Sequence, residues 1–121
     1  MIKKYIEKFG NLCPECKEEM IFSTDELAHV DDLFCVEDHT EISFNFFSKT
    51  PHLKIDVFDA KNKIVMWYLS MTKKIIIWYS NNSKEKTTPI ILENMSLDDL
   101  GQFLLPGKQL AEKLDGLKLL L

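Results

Sequence analysis

Three cysteines and a histidine follow the spacing C-x2-C-x18-C-x3-H, as Cys13, Cys16, Cys35 and His39. Two intervening residues let one tight turn aim both thiolates of the first pair at a single ion. Pro14 stiffens that turn and leaves its remaining amides free to bond sulfur. Three thiolates and an imidazole are the donor set of a tetrahedral Zn²⁺. Asp38 is an alternative, harder fourth donor to His39. Four protein ligands leave no open position for water or substrate, so the metal is expected to hold rather than to react. What it would hold is the segment 12–40, which has few large apolar residues of its own.

The same stretch resembles a zinc ribbon, with a first knuckle "CPEC", a hairpin, and a second knuckle "CVEDH". The resemblance spans residues 12–40, roughly a quarter of the chain. Lys17 stands where ribbons usually carry Gly, and His39 where they usually carry a fourth Cys. The whole layout is also similar to small bacteriophage proteins that join a ribbon-like start to a sheet rich in lysine and isoleucine and a C-terminal helix. That likeness is one of composition and assigns no activity. "VEDHT" further resembles the Asp-His start of HNH nucleases, in which His activates water against a phosphodiester. That family continues with an Asn and a helix, whereas here Asn45 lies in a strand-like run.

Other titratable groups point to less. His29 with Asp31 and Asp32 would make a divalent-metal or acid–base cluster, although three polar residues in a turn more often form a solvated loop. His52, after Pro51, is a loop residue with no partner legible in the sequence. C-x2-C also occurs in thioredoxin-like sites, but there it precedes a long helix amid alternating strands and helices, which the strand run here contradicts. No glycine-rich phosphate loop or nucleophile elbow is present in the sequence.

The elements that must position these residues read as α+β. Ile2, Tyr5, Ile6 and Phe9 recur at helical spacing, with Gly10 placed to end the helix. A hairpin with its turn at "STDE" is expected inside the cysteine segment. From Glu41 the period changes to two: Ile42, Phe44 and Phe46, then Leu53, Ile55 and Val57, alternate with polar residues. "KIVMWYLSM" and "KKIIIWYS" follow around a tight turn near Thr72, and "TPIILEN" adds an edge strand. Short polar connections make an antiparallel meander of about five strands the economical topology. Ser96 is an N-cap for "LDDL", Pro106-Gly107 breaks that helix, and residues 108–121 offer another. Residues 1–41 are expected to form the helix and ribbon-like module, and 42–121 the sheet with C-terminal helices on one face, together one compact unit.

A two-residue turn at Thr72-Lys73 would set Trp67 against Trp78 on one side of the hairpin, with Val65, Leu69 and Ile76. Ile64, Met66, Tyr68, Ile75, Ile77 and Tyr79 take the other side. The C-terminal helices can cover one face through Leu97, Leu100, Phe103, Leu104, Leu110 and Leu114. The second face is expected to be covered by the N-terminal helix or zinc module, or by a protein partner or second copy. Bases stacking on the tryptophans among Lys54, Lys61, Lys63, Lys73 and Lys74 are the alternative.

Charge weighs against the last reading. The net charge is −4, and all fifteen basic residues are lysines. Without arginine the chain lacks the residue that reads guanine and phosphate bidentately. Residues 1–41 hold four lysines against eleven acids, and residues 42–121 hold eleven against eight. An odd number of cysteines with no export signal or membrane-length apolar run leads to an expectation of reduced thiols in the cytoplasm. The function expected is that of a small zinc-stabilised protein-interaction module, a phage-type accessory or host-modulating factor. Single-stranded nucleic-acid binding is the alternative, and an HNH-like metal-dependent nuclease comes third.

Overall fold

The computed structural model describes residues 1–58, 63–79 and 88–120. Helix α1 (Ile2–Phe9) leads into strands β1 (Ile21–Asp25), β2 (Val30–Phe34), β3 (Thr40–Asn45), β4 (Leu53–Phe58), β5 (Lys63–Leu69), β6 (Lys74–Tyr79) and β7 (Ile90–Leu92). Helix α2 (Leu97–Leu100), a 3-10 turn at Gly101–Phe103 and helix α3 (Gly107–Leu120) complete the chain. The strands form one antiparallel sheet in sequence order. Among the described residues no helix is long and apolar enough to cross a membrane.

Among the described residues seven strands replace the expected five, because the ribbon hairpin is part of the main sheet. β2 pairs with β3 from Val30↔Asn45 to Phe34↔Glu41, so the sheet continues unbroken across position 41. These strands escape a periodicity reading: every residue of β1 is exposed, and "VDDLF" in β2 does not alternate. The expected turn at "STDE" is also displaced. Residues 23–25 lie in β1, and the chain reverses over residues 26–29. Asp25 causes this, since its carboxylate accepts the amides of Leu27 and Ala28 at 3.1 and 3.0 Å, turning the chain after itself.

The β5–β6 turn differs in a similar way. Leu69 pairs with Lys74, so the loop is the four residues 70–73, with Lys73 in the left-handed region at φ 54°. The pairing is offset by two residues from the expected one. Side chains alternate with period two, so an even offset keeps every residue on its expected face.

One face is the core. Leu33, Ile42, Ile55, Met66, Ile77 and Ile90 form a continuous row of cross-strand neighbours, all buried. Ile2 and Tyr5 of α1, Leu100, Phe103, and Leu110 and Leu114 of α3 belong to the same buried cluster. Burying each such side chain contributes about 1.5–3 kcal/mol. Phe9 at the end of α1 covers Gly101, where a Cβ would stand 2.9 Å from its ring. Lys8 pairs with Asp98, joining α1 to α2. α2 starts as expected: the Asp99 carboxylate accepts from the Ser96 amide at 2.7 Å and from its hydroxyl at 3.1 Å. Farther on, the Tyr79 hydroxyl donates to Asp115 at 2.9 Å, and Lys118 donates to the Tyr79 carbonyl at 2.8 Å.

The described helices therefore lie on the face of Ile64, Met66, Tyr68, Ile75, Ile77 and Tyr79. Among the described residues the N-terminal helix and the cysteine segment do not supply the expected second cover, because Ile2, Tyr5, Cys13 and Cys35 share the core of the C-terminal helices. On the opposite face Val65, Trp67, Ile76 and Trp78 are half-buried and Ile91 is exposed.

Candidate metal centre

The four ligand side chains come from two turns. The first lies between α1 and β1. There the amide of Lys17 bonds the carbonyl of Cys13 at 2.9 Å, and that of Cys13 bonds Glu18 at 2.8 Å. The second is the tip of the β2–β3 hairpin, closed by the Cys35 amide on Thr40 at 2.9 Å and the Asp38 amide on Cys35 at 3.0 Å. Pairing of Ile21, just after the first turn, with Phe34, just before Cys35, sets this tip beside the first turn, so sheet register brings the distant halves together.

Each turn passes through a left-handed residue, Lys17 at φ 65° and Asp38 at φ 58°. Lys17 thus adopts the backbone for which ribbons use glycine. Its ammonium donates to the Pro14 carbonyl at 2.8 Å, offsetting part of the conformational cost.

Cys13, Cys16, Cys35 and His39 present ligand atoms that all lie within 4.8 Å of one another. Cys16 Sγ and Cys35 Sγ are 3.7 Å apart, and Cys35 Sγ and His39 Nδ1 are 3.6 Å apart. Tetrahedral zinc with Zn–S of about 2.3 Å and Zn–N of about 2.0 Å requires edges of about 3.8 and 3.5 Å. The measured separations fit that polyhedron. His39 rather than Asp38 completes the set, and among the described residues this is the one such group of metal-type donors.

Backbone amides and neighbouring thiols act on two of the sulfurs with opposite outcomes. The Glu18 amide is the largest influence on Cys16 and pulls its pKa down, but burial, Cys35 and Cys13 together raise it to about 11. For Cys35 burial is the largest influence and pushes upward. The amides of His39 and Glu37, with the thiols of Cys16 and Cys13, outweigh it and bring Cys35 to about 7. Cys16 and Cys35 form one sulfur–sulfur hydrogen-bonded edge at 3.7 Å, and a dication bound there would displace its proton. Cys13 is fully buried, with Thr40 Oγ1 at 3.9 Å from its sulfur. The opposite side opens into a depression of about 270 Å³ lined by Cys16, Cys35, Val36, Glu18, Glu19 and Glu37. Three carboxylates at that mouth favour the approach of a cation.

The remaining candidates separate. Asp31 accepts from Thr24, and strand alternation puts Asp32 on the other face, so these two do not converge with His29 on one point. His29 instead packs against Phe47, with ring centroids 4.1 Å apart and the planes tilted by 46°. Asn45, needed by an HNH reading, accepts the Phe47 amide at 3.0 Å, five residues along β3 from the hairpin tip that carries His39.

His52, which showed no partner in the sequence, stacks on Trp67 at 4.0 Å with 20° between planes. Trp67 meets Trp78 edge-on at 4.8 Å. Strand parity held the signal: His52 stands two residues before Lys54, the direct partner of Trp67. Leu69 is 9% exposed and adds little accessible area to this face, whereas Val65 is half-buried. Lys54, Lys63 and Lys74 lie on the same face by alternation, and Lys61 lies outside the described residues.

Beside the aromatics the face becomes acidic. Glu41 pairs directly with Asp56, and Asp56 is 5% exposed. Its Oδ2 lies 3.7 Å from Lys54, while among the described residues its buried Oδ1 and the Nε1 of Trp67 have no hydrogen-bond partner. Asp56 was not singled out by the sequence, where it reads as one more polar member of an alternating strand, and Trp67 was singled out for its ring rather than for its Nε1. In comparisons with protein-family models, curated proteins and solved structures, nothing matches this chain, so the chemistry of the site rests on its own geometry.

Proposed function

We propose that the chain is a zinc-stabilised protein-interaction module whose partner docks on the open face of β4–β6. Zinc would be held by Cys13, Cys16, Cys35 and His39 in a structural role, since all four positions are filled by protein. The observation that carries the docking reading is the row His52–Trp67–Trp78 on a sheet face that no described helix covers. Trp67, Trp78 and Val65 would anchor the partner, with Leu69 supporting them from beneath.

The two orphaned buried atoms refine the partner's chemistry. An acceptor at Asp56, with Glu41 beside it, fits a lysine or arginine of the partner next to its apolar contact. The same carboxylates oppose a phosphate backbone, which places single-stranded nucleic acid second despite the stacked rings and Lys54, Lys63 and Lys74. Free cysteines suit a reducing cytoplasm, and the phage-type accessory or host-modulating role has only the likeness in composition behind it.

The test is a photocrosslinking amino acid at the exposed Ile91 of the intact chain, irradiated in cells. A protein adduct that disappears in Trp67→Ser/Trp78→Ser, with the melting transition kept cooperative, is the expected result. A nucleic-acid adduct would favour the second reading. An adduct with another copy of the chain would make the face a dimer interface. Protein adducts indifferent to both tryptophans would reject the proposed surface.

A further inference from the structure

The metal turn makes a contact that no ribbon chemistry requires. Glu15, the third residue of "CPEC", reaches the start of α3, where its Oε2 accepts the Gly107 amide at 2.6 Å. Gly107 is the first residue of α3 and is buried. Its amide is one of the donors that a helix cannot satisfy internally, and burial denies it water. A carboxylate there also complements the positive end of the helix dipole. Pro106 contributes no amide of its own, and its carbonyl accepts from Leu110 at 2.9 Å to begin the helix.

Glu15 is flanked by Pro14 and Cys16, so its backbone is positioned by the turn that presents two of the four ligands. An ion gripping Cys13 and Cys16 would fix that turn and, with it, the carboxylate. α3 in turn contributes Leu110, Ala111 and Leu114 to the buried side of the sheet. We propose that Glu15 makes the metal centre a lock on α3, so that loss of the metal loosens the helix from the sheet core. The proposal rests on the zinc reading above. Coupling of this kind is reciprocal: whatever zinc adds to α3 docking, α3 docking adds to zinc affinity.

Hydrogen exchange on the full chain, with Zn²⁺ and after chelation, tests this directly. In the wild type, zinc should slow exchange of the amides of residues 107–114 by at least about fivefold. Glu15→Ala should still bind the metal, read from the thiolate-to-cobalt absorption band with Co²⁺ as probe, and should still gain protection at residues 35–40. Its α3 amides should respond less than about twofold, and its zinc affinity should fall by the factor lost there. Glu15→Gln, which keeps an acceptor of the same length without the charge, should fall between the two and decides the matter if the alanine variant does not fold.

Zinc binding with an unresponsive wild-type α3 would overturn the lock and leave the metal site standing. An undiminished α3 response in the folded glutamate variants would do the same. Absence of any cobalt band in the wild type would remove the metal centre and the lock together.

Discussion

Trp78 is paired across β5–β6 with Val65, and Trp67 with Ile76, yet the two indoles meet on the diagonal with ring centroids 4.8 Å apart. Diagonal neighbours on a twisted antiparallel pair are within reach of large aromatic side chains. A double-mutant cycle on Trp67→Leu and Trp78→Leu should give a coupling of about 1 kcal/mol, the usual excess of an aromatic pair over its buried area. Additive effects in urea titrations would show that the rings are neighbours without interacting.

Metal removal should be felt on one side of the molecule. At zinc a thousandfold above its Kd, the ion contributes about 4 kcal/mol, which chelation or Cys35→Ser would remove. Limited proteolysis should then open residues 12–40 first. Fluorescence of Trp67 and Trp78 should stay near its folded value below the transition, because both lie on the sheet face away from the core that includes Cys13 and Cys35. Equal stability with and without zinc would contradict a structural ion.

Lys17 holds a left-handed backbone at φ 65°. Glycine enters that region without steric penalty, so Lys17→Gly should gain up to about 1 kcal/mol, reduced by the lost Lys17–Pro14 hydrogen bond. Lys17→Val, β-branched, should lose about 2 kcal/mol. Thermal melts of the zinc-loaded variants check both, and a stabilising valine would mean that the turn has another conformation.

Asp32 supplies a pH dependence. Burial first, then the charges of Asp31 and Asp25, raise its carboxyl above the ordinary value. A group whose folded pKa is raised contributes stability fully present below the unfolded pKa, near about 4, and lost as pH rises through the folded value. Asp32→Asn should therefore raise the urea midpoint at pH 7, by about 0.5 kcal/mol in stability, and this gain should shrink towards about pH 4. A gain that persists unchanged at the acid end would assign the effect to packing rather than charge.

Much of the fold is legible along the chain, for reasons visible at particular residues. β3 to β6 announce themselves through Ile42, Leu53, Ile55 and Ile64, because a strand with one buried face must alternate. Ser96 and Pro106-Gly107 mark helix boundaries through local hydrogen bonding and the missing proline amide. β1 stays hidden because all five of its residues are exposed, so no alternation marks it. The four ligands are legible because a two-residue gap between thiolates is a local geometric requirement. His52, Thr40 and Glu15 are not, since each gains its role from a residue far along the chain or from the ring of a facing strand.

Taken alone, the amino-acid order determined the donor set Cys13, Cys16, Cys35 and His39, the strand period and the sidedness of Trp67 and Trp78. These depend on chain geometry over a few residues, and sidedness survives even a two-residue change in hairpin register. Tertiary structure alone decided that the ribbon hairpin extends the main sheet, that the described helices pack on one face, and that Glu15 reaches Gly107. Those outcomes depend on which buried surfaces fit one another across the whole molecule, and no local spacing encodes that fit.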